Sequence, residues 1–181
     1  LSRLCDHPSA SVRLSLAANP NLTPKECQTL VQDEHEFVRA TLATNSSLPN
    51  PLQFILAKDS KTAVRLELSG RKNLDPDIAV HLSRDPDSSV CSAVIQAWSQ
   101  DPELLHFWAE KGDSRVQQAL LKRAQELEPG LMETLALSSY GNVRRTAIRA
   151  AGMKEPHLFS LAESDSPIDR IFLADYSRIP S

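Results

Sequence analysis

The sequence predicts an all-α fold, an α-solenoid built from two-helix repeats of about 26 residues. A Val-Arg pair recurs at nearly constant spacing, apolar residues within each repeat follow helical periodicity, and proline recurs at one position of the repeat. Composition agrees with this prediction. The chain has only 5 glycines among 181 residues, few for sheet-rich or dinucleotide-binding folds, which need glycine in turns and phosphate loops.

The anchor of each repeat is a valine that arginine follows in the best-preserved copies. Successive anchors are separated by 26, 26, 26, 26, 27 and 25 residues, and the last anchor is an isoleucine. Another apolar residue usually lies four positions after the anchor, on the same face of a helix. We therefore expect a first helix, the A helix, around each anchor. The anchors are Val12, Val38, Val64, Val90, Val116, Val143 and Ile168.

A second helix, the B helix, begins at a proline in six repeats. Thr, Asn or Asp precedes this proline in four copies and Glu in two, and the first three are preferred helix N-caps. Proline suits the first helical position because its missing N–H has no intrahelical partner there. The pairs are Thr23-Pro24, Asn50-Pro51, Asp75-Pro76, Asp101-Pro102, Glu128-Pro129 and Glu155-Pro156. Since neither helix can bury its apolar face alone, we expect the repeats to stack into one domain over residues 1–181.

The chain enters partway through a repeat. Leu4 and Cys5 align with Leu30 and Val31 of the next B helix, so the first repeat is truncated. We expect either further residues before Leu1 or a partner surface at that end.

Two positions test this register. Leu68 lies four residues after an anchor and is expected in the core, whereas Lys72 lies at a peripheral position. We expect Leu68→Ala to destabilise the protein far more than Lys72→Ala.

The repeat pattern resembles the leucine-rich repeat variant family. The string Asp-x-x-x-x-Val-Arg-x-x-Leu-Ala-x-Asn is complete from Asp33 to Asn45, and Ala17 and Asn19 match it in the preceding copy. The resemblance implies a right-handed superhelix of paired helices. The 26-residue period is longer than that family's usual unit and is closer to HEAT and armadillo solenoids.

Charged residues recur with the anchors. An arginine follows four anchors, and an aspartate precedes three anchors by five residues. A repeated Arg with a repeated Asp predicts structural pairing within or between repeats, because planar guanidinium fits a fixed carboxylate. A basic stripe for an acidic partner is the alternative. The residues are Arg13, Arg39, Arg65 and Arg144, with Asp33, Asp59 and Asp85. Asn19 and Asn45 are interpreted as hydrogen-bonding residues at helix ends.

Net charge is unevenly distributed. Residues 111–154 hold eight basic and four acidic residues, so this stretch carries +4 and the remainder −7 of a total of −3. HEAT-like DNA glycosylases bind phosphates with a similar basic face, so nucleic-acid binding is an alternative function for this half. An ordinary solvated face is the other interpretation. The candidate contact residues are Lys122, Arg123, Arg145 and Arg149.

Two aromatic residues are candidates for a partner contact. Trp98 lies at a peripheral repeat position, and exposed tryptophan commonly anchors interfaces. Trp98 with Phe107 is therefore a hypothesis for a contact surface, and local packing of Trp98 is the alternative. Trp108 replaces a core leucine and is interpreted as packing.

The sequence favours a binding function over a catalytic one. It contains no HExxH, Walker, GxGxxG or GxSxG motif. Its three cysteines are too few and too scattered for a disulfide framework or an iron–sulfur cluster, and no apolar run approaches the roughly 18 residues of a membrane span. We expect a cytoplasmic, non-catalytic scaffold that binds a protein or peptide on an extended helical surface, without cofactor or metal.

Overall fold

The computed structural model describes residues 2–71, 74–152 and 154–176. Within these ranges the chain forms thirteen α-helices and two 3₁₀ helices, and no β-strand. The all-α prediction is therefore confirmed. None of the described helices combines the length and the apolar character that crossing a membrane requires.

A and B helices alternate along the chain, as the repeat predicts. The A helices are α1 (Ala10–Ala17), α3 (Glu36–Thr44), α5 (Thr62–Ser69), α7 (Ser88–Ala97), α9 (Ser114–Leu121), α11 (Gly141–Ala151) and α13 (Pro167–Tyr176). The B helices are α2 (Pro24–Leu30), α4 (Asn50–Ala57), α6 (Pro76–Ser83), α8 (Pro102–Lys111), α10 (Pro129–Ala136) and α12 (Glu155–Ala162). The 3₁₀ helices are Ser2–Leu4 and Ala124–Glu126.

The starts of the B helices show why the sequence folds this way locally. At α2 the Glu26 N–H donates to Thr23 Oγ1 at 3.3 Å, and the Thr23 N–H donates to Glu26 Oε2 at 2.9 Å. These two bonds form a capping box that satisfies donors left free by the first helical turn. At α8 the Leu104 N–H donates to Asp101 Oδ1 at 3.0 Å. At α2 and α8 a side-chain cap followed by proline therefore fixes where the helix begins.

The last anchor is Asp169, and the sequence-based choice of Ile168 is wrong. The anchor is the third residue of every A helix, and Asp169 is the third residue of α13. Asp169 is fully buried, whereas Ile168 is 59% exposed. The last step therefore equals the usual spacing of the repeat, and Arg170 takes the position that follows the anchor. The sequence favours Ile168 because buried positions are usually apolar, but here neighbouring arginines satisfy a buried carboxylate.

The chain divides into two compact units, Leu1–Ser99 and Gln100–Ser181. In the first unit α1 contacts α3, α3 contacts α5 and α5 contacts α7, while α4 contacts α6. In the second unit α9 contacts α11 and α11 contacts α13, while α8 contacts α10. Within each unit, A helices therefore pack on A helices of neighbouring repeats, and these B helices pack on B helices.

The core of each unit follows the anchor periodicity. In the first unit the anchors Val38 and Val64 are fully buried, as are Leu42 and Leu68 four residues later. In the second unit Trp108 occupies the B-helix leucine position and is buried. All three cysteines are buried, and burial raises the pKa of the Cys27 thiol above its ordinary value.

We expect Leu68→Ala to lower the free energy of unfolding by about 2–5 kcal/mol, because it leaves a cavity between packed helices. Lys72 lies outside the described residues, so Leu66 on the same helix is a better control. Leu66 is 36% exposed, and Leu66→Ala should cost about 1 kcal/mol or less. Urea denaturation followed by circular dichroism measures both values. Equal losses for the two variants would contradict the register.

Candidate functional site

An arginine–aspartate ladder holds the A helices of the first unit together. Each ladder arginine forms a bidentate ion pair with an aspartate 20 residues later. In all three pairs Nε donates to Oδ2 at 2.6 Å, and Nη2 donates to Oδ1 at 3.0–3.1 Å. The arginine therefore pairs with the aspartate that opens the next repeat. The pairs are Arg13–Asp33, Arg39–Asp59 and Arg65–Asp85.

Backbone hydrogen bonds join these ion pairs into one chain of contacts. The Lys61 N–H donates to Asp59 Oδ1 at 2.9 Å, forming an Asx turn before α5. Arg65 Nη1 donates to the Asp59 carbonyl oxygen at 2.7 Å, and Arg39 Nη1 donates to the Asp33 carbonyl oxygen at 2.6 Å. Asp59 thus binds the arginine of the preceding repeat through its carboxylate and the arginine of its own repeat through its carbonyl.

The ladder groups are buried and stay charged. In the middle pair the Arg39 and Asp59 side chains are only 12% and 8% exposed. Burial raises the pKa of the Asp59 carboxyl, but hydrogen bonds from Arg39 and from the Lys61 N–H together outweigh burial and hold that pKa below its ordinary value. The hydrogen bond with Asp59 raises the pKa of Arg39. These cations are neutralised inside the first unit and do not form an exposed basic stripe.

A second set of contacts lies at the carboxyl ends of the A helices. Asn45 Nδ2 donates to the carbonyl oxygens of Ala17 at 2.6 Å and Asn19 at 2.8 Å. Arg71 Nη1 donates in the same way to Ala43 at 2.8 Å and Asn45 at 2.7 Å. These bonds satisfy carbonyls that the end of a helix leaves free. Sequence reasoning missed Arg71, although it lies one repeat period after Asn45.

In the second unit, Arg144 keeps the arginine position, whereas other ladder positions hold different residues. Gln117 occupies an arginine position and Ser138 the matching aspartate position. Ser138 Oγ donates to Gln117 Oε1 at 2.5 Å, and the Tyr140 N–H donates to Ser138 Oγ at 3.1 Å. A neutral pair therefore replaces the ion pair while the turn is kept.

In the next repeat of the second unit, Arg144 pairs with a carboxylate at an anchor position, that of Asp169. Arg144 donates to the Ser138 carbonyl oxygen and to Asp169 Oδ2, and Arg145 donates to Asp169 Oδ1. Burial raises the pKa of Asp169, but hydrogen bonds from Ser164, Arg144 and Arg145 bring it below its ordinary value. Two arginines, one of them a sequence candidate for partner contacts, thus neutralise the buried Asp169.

The other basic candidates lie elsewhere in the second unit. The Arg149 guanidinium stacks over the Phe172 ring, 5.0 Å from its centroid, which is a cation–π geometry. Arg123 pairs with Glu126, with Nε donating to Oε2 at 3.0 Å. Lys122 is exposed, and with Arg123 it lines a pocket of about 410 Å³.

The two aromatic candidates lie in different units. Trp98 follows α7 in the first unit and is half-buried, and its buried Nε1 has no hydrogen-bond partner among the described residues. Phe107 lies on α8 in the second unit and is exposed. Each remains a candidate for a partner contact on the surface of its own unit.

The first unit exposes an apolar stripe that sequence reasoning did not identify. The positions one before and two after each anchor are three residues apart, so they are neighbours on the helix surface. They carry exposed Leu14 on α1, Phe37 on α3 and Leu66 on α5, which are 37%, 56% and 36% exposed. We call these three residues the apolar stripe. The sign of this stripe in the sequence is a leucine two residues after the anchor in two repeats, Leu14 after Val12 and Leu66 after Val64.

Comparisons with protein-family models, curated proteins and solved structures found no match to this chain. The resemblance to the leucine-rich repeat variant family therefore rests on the residue pattern alone. Among the described residues, no three His, Cys, Asp or Glu side chains are grouped to hold a metal ion.

We expect Asp59→Ser to lower the free energy of unfolding by about 3–5 kcal/mol, because it leaves the buried Arg39 without a counter-charge. The double variant Arg39→Gln, Asp59→Ser reproduces the neutral Gln117–Ser138 pair. Its free energy of unfolding should be about 1–3 kcal/mol higher than that of Asp59→Ser alone, because no buried charge is left unpaired. Urea denaturation measures each variant.

The exposed Glu36–Lys61 pair, with 3.3 Å between Oε2 and Nζ, supplies the control for this prediction. It belongs to the same two repeats, and Glu36→Gln should cost about 1 kcal/mol or less. If the double variant is as unstable as Asp59→Ser, the buried unpaired charge is not the cause.

Lowering the pH should reduce the stability that the ladder carboxylates contribute. A carboxyl whose folded pKa is lowered contributes stability that is present above its unfolded pKa of about 3.9 and lost as pH falls through the folded pKa. The Arg39→Gln, Asp59→Ser variant lacks one such carboxyl and should therefore lose less stability than the wild type between pH 7 and pH values of about 3. Thermal unfolding across this range measures the difference. Equal losses would be inconsistent with a lowered pKa at Asp59.

Proposed function

We propose that this chain is a non-catalytic repeat scaffold that binds a protein or peptide partner on the exposed face of its A helices. The apolar stripe carries this proposal. Leu14, Phe37 and Leu66 lie on successive A helices that contact each other. Burying such side chains against a partner yields about 25 cal/mol per Å² of apolar surface.

The ladder supports this role because it fixes the helices that carry the stripe. Arg13 and Arg65 directly precede Leu14 and Leu66 in the sequence, and their guanidinium groups are held by carboxylates of the next repeat. Neighbouring helices pack about 8–10 Å apart. An amphipathic helix laid across them offers side chains about 10.5 Å apart at every seventh position. A partner helix with apolar residues at i, i+7 and i+14 fits this spacing.

The proposed architecture is a right-handed α-solenoid of the leucine-rich repeat variant or HEAT type. Packing of A helices on A helices within each unit supports it, as does the continuous series of contacts through Asp33 and Asp59. A cytoplasmic location is part of the same proposal, and the buried free thiols of Cys5 and Cys27 fit a reducing compartment.

Nucleic-acid binding through residues 111–154 is the alternative proposal. The exposed Lys122 beside the 410 Å³ pocket favours it, whereas Arg145 is engaged with Asp169. A mobility-shift assay with DNA and RNA at about 50 and 200 mM salt tests it, since phosphate contacts weaken steeply with salt. Binding at low salt that Lys122→Glu abolishes would favour this function over the scaffold.

We expect Phe37→Asp to weaken partner binding at least about tenfold, because it places a charge within the apolar stripe. The matched control is Phe54→Asp, since Phe54 is an exposed phenylalanine on the B helix α4. Affinity capture from the native cell with wild type and both variants, followed by quantitative mass spectrometry, identifies proteins lost only with Phe37→Asp. A partner set that is identical for all three baits would refute binding at the stripe.

A further inference from the structure

We propose that the Arg71 guanidinium is a binding site for a carboxylate of a protein or peptide partner. Arg71 follows the A helix α5 in the first unit. We call the edge formed by its Nε and Nη2 atoms the open edge of Arg71. The inference rests on the proposed function in that it treats the chain as a binding scaffold. It assigns a site that is not part of the apolar stripe, however, and a ligand of defined chemistry.

Arg71 is a buried cation without a carboxylate partner among the described residues. It is 8% exposed, and Arg13 and Arg144 are buried to a similar degree. Asp33 neutralises Arg13, and Asp169 neutralises Arg144. At Arg71 no carboxylate opposes the effect of burial, which lowers the pKa of the guanidinium below its ordinary value. Because a buried charge is costly unless it is paired, an incoming carboxylate gains more at Arg71 than at an arginine that is already paired.

The hydrogen bonds of Arg71 follow the division seen in the ladder. In Arg39, Nη1 donates to backbone carbonyl oxygens, whereas Nε and Nη2 bind the two carboxylate oxygens of Asp59. In Arg71, Nη1 donates to the carbonyl oxygens of Ala43 and Asn45, whereas Nε and Nη2 have no acceptor among the described residues. Nε is buried and Nη2 is not, so the open edge meets solvent at Nη2. Arg71 therefore has the donor arrangement of a ladder arginine without its aspartate.

The fold does not require a charge at this repeat position. The equivalent residue one repeat earlier is Asn45, which binds the carbonyl oxygens of Ala17 and Asn19 through a neutral amide. One repeat later the residue is Ala97, which has no side-chain donor. The partial negative charge at the carboxyl end of α3 favours a cation there, but an amide satisfies the equivalent carbonyls of α1. The positive charge of Arg71 is therefore available for a second role.

The geometry of the open edge selects a planar carboxylate. The N–H groups of Nε and Nη2 are parallel donors, which match the two oxygens of a carboxylate in one plane. Within this chain the same edge of the guanidinium binds an aspartate in all three ladder pairs. A partner with an aspartate or a glutamate at its point of contact therefore fits Arg71. A phosphate group offers similar oxygens, and the experiment separates the two ligands.

The test is a titration of the full wild-type chain with sodium acetate, at an ionic strength held constant with sodium chloride. Proton–nitrogen correlation NMR follows the Nε–H groups of the arginines. We expect the Arg71 resonance to shift along a saturable curve with a dissociation constant of about 10–100 mM, as one charge-assisted pair allows. Arg39 and Arg65 are internal controls, because Asp59 and Asp85 already occupy their edges. Equal responses of all three arginines, or no response at Arg71, would overturn the proposal.

The variant Arg71→Asn assigns the resonance and tests the charge, since asparagine does the equivalent work at position 45. We expect the wild type to melt at a higher temperature in acetate than in chloride, because a ligand of the folded state stabilises it. Arg71→Asn should lose this difference, and a difference of equal size in the variant would contradict a site at Arg71. If the variant does not fold, the wild-type titration with its internal controls decides.

Two further comparisons define the ligand and the surface. Inorganic phosphate that binds Arg71 at least about tenfold more tightly than acetate would assign the site to a phosphorylated partner or a nucleic acid, and would overturn the carboxylate assignment. Phe37→Asp should leave the acetate titration of Arg71 unchanged. Failure of binding at the open edge is thereby distinguished from failure of binding at the apolar stripe.

Discussion

The bidentate contact between an A-helix arginine and the aspartate that opens the next repeat is the constraint on which the first unit depends. Removing two charges from water costs several kcal/mol per ion, and good geometry with further hydrogen bonds is needed to offset it. Asp59 meets this requirement by accepting from Arg39 and from the Lys61 N–H together. A shift of one repeat by a single residue would break both bonds, so the ladder fixes the register between helices as well as holding them together.

The second unit shows that the geometry, more than the charge, is required at these positions. Ser138 retains the turn-forming acceptor of the aspartates while Gln117 replaces the arginine, so no buried charge is left unpaired. The opposite exchange occurs at Asp169, where a carboxylate at an apolar anchor position is compensated by Arg144 and Arg145. In both cases donors and acceptors change together, as the high cost of an isolated buried charge requires.

The sequence predicts the helices well because the signals for each are local. Anchors, prolines and N-caps act within a few residues, and the constant spacing between the ladder arginines and aspartates is visible without coordinates. Burial is not a local property, which is why the sequence places the last anchor at Ile168 and not at the buried Asp169. The ion pair of Arg145 is invisible in the sequence for the same reason, since it depends on a carboxylate of the following A helix. The apolar stripe escapes detection because exposed and buried leucines look alike in a sequence.

The positions of an A helix that internal contacts hold are different from the positions that are exposed on its surface. The anchor and the arginine after it are held by internal contacts in the first unit. The residue before each anchor is exposed there, and the residue two after the anchor is exposed at Leu14 and Leu66 but buried at Ala40. On α3 and α5 those positions carry Phe37 and Leu66, whereas on α9 they carry Arg115 and Gln118. The surface at these positions is therefore apolar at Phe37 and Leu66 and polar on α9. On α13 it is apolar again, since Ile168 and Ile171 are 59% and 60% exposed. In the proposed scaffold, these side chains are what distinguishes one A helix from another for a partner, because the helical framework of the repeat is common to all of them.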